Sequence, residues 1–289
     1  MVNATKPYEY AHLTGDTLDT TKKISFIGAG NMSKAIISGL VEKGYAAHNI
    51  MASNPSIGKL NALKEGLGIR TTHNNQEAID FADIVMLSVK PQLMQAVCKD
   101  FVLNKPAALF VSIAAGLTIS RLSDFLPTNA NIVRVMPNTP SAIGLGMSGI
   151  YADSNITSAQ VMLVEQIMQS VGKTLVVNKE DDINTVIAAA GSSPAYFFLI
   201  AEVMQKAAIN MGIDKTNARI LVEQAMLGSA TLMQKQSGLE LSELRSQVTS
   251  KGGTTAKAVE SLQQDNIDIM FARAMQAAVT RAQEMSEQF

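Results

Sequence analysis

Two short stretches combine residue types and spacings that suit chemistry on a small anionic ligand. The first is Gly28-Ala29-Gly30-Asn31-Met32-Ser33. Glycine takes backbone angles that other residues avoid and lets a ligand come close. A helix starting just past Gly30 would aim unpaired N–H groups and a positive dipole end at a phosphate. The spacing is that of the dinucleotide fingerprint G-x-G-x-x-G/A, with Ser33 at the third position. Gly28, Ala29, Gly30, Asn31 and Met32 are therefore expected to cradle a pyrophosphate. The second stretch is Val248-Thr249-Ser250-Lys251-Gly252-Gly253-Thr254-Thr255-Ala256. Paired glycines ahead of a helix start again free backbone donors, and the hydroxyls beside them suit a carboxylate. An ordinary cap by Thr254 or Thr255 is the plainer alternative, but a cap needs one hydroxyl and no pair of glycines.

The elements that must position these stretches follow from periodicity. Ile24 to Ile27 is a short apolar run ahead of the first glycine, and from Met32 the spacing becomes helical. Further strands are expected at 49–53, 69–71, 84–89, 108–113 and 131–136, alternating with helical segments at 76–81, 92–101 and 119–125. Strands alternating with helices imply a parallel sheet with right-handed crossovers, whose ligands sit beyond the strand C-termini. Segments 144–151 and 174–177, with a helix at 158–170 between them, are expected to add a hairpin-like edge. From Asp181 onward only helices are expected: 183–190, 195–211, 216–236, 241–248, 255–263 and 267–287. The chain thus divides into a polar N-terminal extension at 1–21, an α/β Rossmann-type parallel-sheet domain at 22–179 and an all-α domain at 180–289. The segment 195–208 is apolar on more than one face, which points to a homodimer interface as well as a core.

The expected strand ends supply the rest of a cofactor crevice. Where a carboxylate usually holds the ribose hydroxyls of NAD, this chain has Ser53 and Asn54, with Lys59 and Lys64 following. A carboxylate there would repel a 2′-phosphate, so its absence favours NADPH, with NADH still possible. Asn54-Pro55 as a bare turn beside solvated lysines is the alternative. Val89, Lys90, Pro91, Ala114 and Asn138 lie at the other strand ends and are expected to line the crevice.

Composition narrows the partners. Twenty-four basic and 25 acidic residues leave a net charge of −1, with no basic surplus for nucleic acid and no charge block for a membrane surface. Cys98 is the only cysteine and lies in an apolar helical stretch, as a buried reduced thiol would. Residues 1–21 hold no signal-length apolar core, and no later segment reaches about 18 uninterrupted apolar residues. A cytoplasmic protein acting on a small molecule, without a metal, is expected.

Five motifs together resemble the pyrroline-5-carboxylate reductase family. They are Phe-Ile-Gly-Ala-Gly-Asn-Met at 26–32, Val-Lys-Pro-Gln at 89–92, Val-Arg-Val-Met-Pro-Asn-Thr-Pro at 133–140, Ala-Gly-Ser-Ser-Pro-Ala-Tyr at 190–196 and Val-Thr-Ser-Lys-Gly-Gly-Thr-Thr at 248–255. The resemblance implies NAD(P)H-dependent reduction of 1-pyrroline-5-carboxylate to proline and a helical dimerisation domain whose dimers can assemble further. Carried over by position, Ser250 and the backbone of Gly253 and Thr254 would hold the substrate carboxylate, and Thr255 would lie near the ring nitrogen as the catalytic residue. Lys251 stands where the family usually has proline, and Ser193 where it usually has glycine.

The residues agree with imine chemistry. His12, His48 and His73 are the only histidines, and none is expected at a strand C-terminus or in the Gly-Gly-Thr-Thr loop. A ketone would need a proton donor for the developing alkoxide, whereas a protonated cyclic imine needs mainly alignment and a hydrogen bond at nitrogen. A hydroxyacid dehydrogenase with a similar pair of domains would place a lysine early in the helix after Ser193, but here the first is Lys206. A dinucleotide-binding regulator without turnover is the non-enzymatic alternative, which the intact Ser250 and Gly253 to Thr255 disfavour.

Overall fold

The computed structural model describes residues 19–105 and 108–288. Most of the extension expected at 1–21, including His12, lies outside the described residues.

Among the described residues eight strands form a single sheet in the order β3-β2-β1-β4-β5-β6-β7-β8. They are β1 (Ile24–Ile27), β2 (Ile50–Ser53), β3 (Arg70–Thr72), β4 (Ile84–Leu87), β5 (Leu109–Ser112), β6 (Asn131–Met136), β7 (Gly146–Ala152) and β8 (Gly172–Val176). β1 to β6 pair in parallel and β7 runs antiparallel to β6. The central strands read as continuous hydrophobic runs because both faces are covered. On one face Phe26, Met86, Val111 and Val133 meet Ile36, Ile37 and Leu40 of α1 (Asn31–Glu42), Leu60 and Leu63 of α2 (Ile57–Leu67) and Val164 and Ile167 of α6 (Ser158–Gln169). On the other, Ile27, Val85, Leu87 and Phe110 meet α3 (Asn75–Phe81), α4 (Pro91–Cys98) and α5 (Ile119–Phe125). Cys98 is fully buried there, and burial pushes its thiol up to about 12.

Two expectations need correction. β7 and β8 do not form a hairpin-like edge but run parallel to each other, because α6 carries the chain back along the sheet between them. And β3 extends one residue further than expected, to Thr72, so His73 does follow a strand C-terminus.

Two compact units result. The first comprises the sheet through Ser192 together with 278–288, and the second is 193–277. The first unit includes α7 (Asp182–Val186) and a π-helical turn, Ile187–Gly191, where Val186 and Ile187 pack on Met136, Tyr151 and Leu175. A partly buried ion pair braces this exit: Arg134 Nη1 lies 2.7 Å from Glu180 Oε1, which also accepts the Ile119 N–H at 2.7 Å. The second unit is wholly helical among the described residues, with α8 (Ser193–Asn210), α9 (Lys215–Lys235), α10 (Leu241–Gln247), α11 (Thr254–Gln264) and most of α12 (Ile267–Gln288). The run Asp182–Asn210 is 29 residues and contains an 18-residue window of mean hydropathy 1.5, long and apolar enough by those measures alone to cross a membrane.

Candidate active site

The glycine turn lies where a parallel sheet concentrates its ligand chemistry, at the C-terminal end of the central strand β1. Gly28 has φ +107°, and a Cβ there would stand 2.8 Å from the Ser88 carbonyl oxygen, so only glycine fits. Gly30 differs. Its φ is −82° and a Cβ would meet no atom within 4 Å. The protein's own packing does not require glycine there; a bare backbone at that point leaves a cradle that a side chain would fill. Gly30 is also the N-cap of α1, with no side-chain cap and no acidic residue in the first turn. The N–H groups of Asn31 and Met32 therefore remain for an anion. Ser33, fully buried, does more than stay small: its hydroxyl donates to the Gly28 carbonyl at 2.7 Å and ties the turn to the helix.

The end of β2 is built onto this turn. Asn54 Oδ1 accepts the Ala29 N–H at 3.1 Å, so Asn54 does more than start a turn before Pro55. Ser53, buried, donates from its hydroxyl to Asn75 Oδ1 at 2.6 Å. His73 places Nδ1 2.9 Å from the Asn54 carbonyl oxygen, joining the ends of β2 and β3. Sequence reasoning missed His73 and Asn75; the signal was the strand-ending Thr72-His73-Asn74 triplet one residue past the expected boundary. Lys59 and Lys64 are exposed on α2. The end of β2 itself, where the ribose of NAD would find a carboxylate, carries Ser53 and Asn54, which fits a phosphorylated ribose; Glu77, on α3, accepts the Thr72 hydroxyl at the end of β3.

Beyond β4, Lys90 is the N-cap of α4 without a side-chain cap, and Pro91 occupies its first turn, a second helix start aimed away from its strand. Val89 is half-buried beside Gly28, and Ala114, nearly buried, follows β5 with its N–H donating to Ser112 Oγ at 3.3 Å. Asn138 follows β6, and its amide is committed to the fold: Oδ1 accepts the Met147 N–H at 2.9 Å and Nδ2 donates to the Ala190 carbonyl at 3.0 Å. The six parallel strands thus bring all the residues expected to hold a dinucleotide to one end of one sheet.

Ser250, Gly253, Thr254 and Thr255 lie in the second unit. α11 begins at Thr254 with Gly253 as N-cap and no side-chain cap, so neither threonine caps the helix. Gly252 has φ +74°, and a Cβ on Gly253 would stand 2.6 Å from Ser250 Oγ. The two glycines therefore let the loop fold with the Ser250 hydroxyl directly over the helix start. Ser250, Thr254 and Thr255 are exposed, and the first-turn N–H groups of α11 are left for a ligand of negative charge. Among the described residues no cluster of three or more histidine, cysteine or acidic side chains could hold a metal ion.

Comparison with known proteins bears on both units. The family profile described as pyrroline-5-carboxylate reductase dimerisation matches residues 180–285, and the one described as NADP oxidoreductase coenzyme F420-dependent matches residues 23–116. The pyrroline-5-carboxylate reductase of Vibrio alginolyticus is 52% identical over 269 residues, 93% of this chain and 99% of that protein. Among solved structures, a pyrroline-5-carboxylate reductase from Coxiella burnetii is 40% identical with a TM-score of 0.87, covering 92% of this chain and 99% of its own. A Plasmodium falciparum pyrroline carboxylate reductase with NADP bound is 28% identical with a TM-score of 0.81, over 92% of this chain and 99% of its own.

Proposed function

The chain belongs to the pyrroline-5-carboxylate reductase family, and on that premise we propose how its residues reduce 1-pyrroline-5-carboxylate to L-proline, the last step of proline biosynthesis, with NADPH as the preferred reductant. When bound, NADPH supplies the hydride that the imine carbon accepts. Gly28, Ala29, Gly30, Asn31 and Met32 hold its pyrophosphate, Ser53 and Asn54 receive the phosphorylated ribose, and Val89, Lys90, Pro91, Ala114 and Asn138 line the crevice toward the nicotinamide. Residues 22–179 serve the cofactor and 180–289 the substrate and self-association.

The substrate carboxylate is held by the Ser250 hydroxyl and the first-turn N–H groups of α11 from Thr254 onward; the Gly253 N–H, expected to join them, donates instead to the Ser250 carbonyl at 3.0 Å and closes the loop. Two or three such charge-assisted bonds, at about 1.5–3 kcal/mol each, provide much of the alignment. Thr255, or a water it orders, hydrogen-bonds the ring nitrogen. The imine enters already protonated, so hydride addition at carbon yields the neutral amine and no side chain has to deliver a proton to carbon or nitrogen. This is why a site without histidine, cysteine or carboxylate among its proposed contacts suffices.

The observation that carries this reading is the occurrence, in one chain, of two glycine-led helix starts without side-chain caps, at α1 and α11. One suits a pyrophosphate and the other a carboxylate. Self-association through the helical unit is supported by the apolar side chains it exposes and by the profile matching 180–285. A cytoplasmic location is supported by the single, reduced cysteine and by the use of NADPH.

Following NADPH and NADH consumption with pyrroline-5-carboxylate, and with 3-oxoacids as the acceptors a hydroxyacid dehydrogenase would reduce, tests the reaction. Consumption with the imine alone is expected; none with the imine would sink the reading. Thr255→Ala is expected to lower kcat/KM about ten- to a hundredfold, the worth of one hydrogen bond to a charged group, with NADPH affinity nearly unchanged. Equal loss of both would make the loop structural.

A further inference from the structure

The first unit is completed from the far end of the chain. Its sheet and covering helices end at Ser192, yet the last turns of α12, residues 278–288, belong to it as well. Along those turns Ala278, Val279, Ala282, Met285 and Ser286 are withdrawn from solvent, while Arg281 and Glu284 are exposed and pair with each other at 2.8 Å. That spacing is one face of a helix, so a single stripe of α12 is turned toward the first unit. Ala282, 5% exposed, packs among Val177, Ile183, Val186 and Ile187. One turn further, Met285 lies on the turn that follows β5. A Cβ on Gly116 would stand 2.8 Å from Met285 Cβ and 3.4 Å from its methyl, and Gly116 has φ +74°. Bare backbone thus meets the helix there, as only glycine allows. The far side of the turn is held by Leu117, fully buried, and by Thr118, which caps α5 by accepting the Arg121 N–H at 3.1 Å.

Ala114, two residues before Gly116, lies in the half of a doubly wound sheet that receives the nicotinamide. Its N–H bond to Ser112 Oγ, at 3.3 Å, stays within the same segment and does not fix where the turn stands above the sheet. The contact between Gly116 and α12 does. We propose that Met285 is a positioning residue: seated against Gly116, it holds the β5 turn at the place from which Ala114 lines the crevice beside the nicotinamide. The inference rests on the assigned reduction. The pyrophosphate and the phosphorylated ribose are held at the ends of β1 and β2, on other elements, so Met285 acts on hydride transfer and hardly on NADPH affinity.

The test uses the full-length protein with three variants: Met285→Ala, Met285→Leu, and Val164→Ala as a control that opens the core on α6, among the residues that cover the sheet with α1 and α2. The NADPH dissociation constant and binding stoichiometry, kcat per bound NADPH and the melting temperature are measured for each. Met285→Ala removes the side chain beyond Cβ and frees the turn, so kcat is expected to fall about ten- to a hundredfold, as misplacement by an ångström does, with NADPH affinity nearly unchanged. Met285→Leu conserves the volume at the contact and is expected to keep most of the parent's kcat. Val164→Ala is expected to melt lower than the parent with kcat per bound NADPH unchanged. Unchanged kcat in Met285→Ala, an equal fall in Val164→Ala, or a Met285→Leu protein as slow as Met285→Ala overturns the inference. An inactive parent protein would instead overturn the assigned reaction.

Discussion

At the scale of single residues, the glycines of the first turn separate structure from function. Gly28 is demanded by the fold, because its φ of +107° and the nearby Ser88 carbonyl exclude a side chain. Gly30 has open space where a Cβ would go. Gly28→Ala is therefore expected to destabilise the chain by about 1–3 kcal/mol from backbone strain alone. Gly30→Ala should change stability by less than about 1 kcal/mol while lowering NADPH affinity tenfold or more, since its methyl occupies the approach of the pyrophosphate. Thermal melts paired with fluorescence titrations of NADPH check both, and a Gly30→Ala protein that binds normally would remove the turn from the site. Asn54 lends itself to a similar separation. Asn54→Asp retains an acceptor for the Ala29 N–H, so the turn survives, but a carboxylate now faces a 2′-phosphate. At an effective dielectric of about 20, like charges a few ångströms apart repel by about 4 kcal/mol, so NADPH should weaken by at least about tenfold while NADH changes little. Similar losses for both cofactors, measured as KM and dissociation constant, would place the phosphorylated ribose elsewhere.

At the scale of elements, the edge formed by β7, α6 and β8 contains a test of burial. Glu165 is nearly buried on α6, and among the described residues its side chain accepts a single hydrogen bond, from Thr174 Oγ1 at 3.3 Å. Desolvation raises its pKa, and the Thr174 bond offsets this only in part. A carboxyl whose folded pKa lies above its unfolded one costs stability as pH rises from the ordinary glutamate range through the raised value. Glu165→Gln is thus expected to raise the melting temperature at neutral and alkaline pH, with the difference closing as pH falls; melts across pH 4 to 8 check this, and a pH-independent difference would count against it. The same edge shows where the amino-acid pattern stops informing. The apolar runs of β1, β4 and β5 and the helix spacing of α1 announce themselves because burial on both faces imposes them. Strand pairing does not: segments 144–151 and 174–177 read as strands, but whether they join as a hairpin depends on the length and packing of α6 between them. In the site, the Gly28 to Met32 turn and the Gly252-Gly253 loop were legible from glycine spacing. The ties Ser33 to Gly28, Asn54 to Ala29, His73 to Asn54 and Asn138 to Ala190 were not, because each joins residues whose pairing only the folded backbone defines.

At the scale of the whole molecule, the helical unit exposes more apolar surface than a monomer in water sustains. Phe198 is 70% exposed, Leu199 60% and Met211 83%, and none of the residues of α8 is buried. An apolar helix of this kind fits either a bilayer or another protein surface. The stretch from Asp182 begins inside the packed first unit, where Ile183, Val186 and Ile187 are buried against the sheet, which leaves only its later part for any partner. A second copy of the chain is the partner proposed here, and mass action makes that testable. If folding of the helical unit is completed by association, the melting temperature rises with protein concentration. Phe198→Glu places a charge in the centre of the apolar face, where desolvating it unpaired costs several kcal/mol. The parent protein is expected to sediment as a dimer or a multiple of one, with a concentration-dependent melting temperature. Phe198→Glu is expected to sediment as a monomer, to melt lower and independently of concentration, and to lose most of its imine reduction while the first unit keeps its NADPH affinity. A parent that sediments as a monomer with concentration-independent melting would overturn the proposed self-association. Loss of NADPH binding together with reduction would instead mean that the first unit does not hold its fold without the partner.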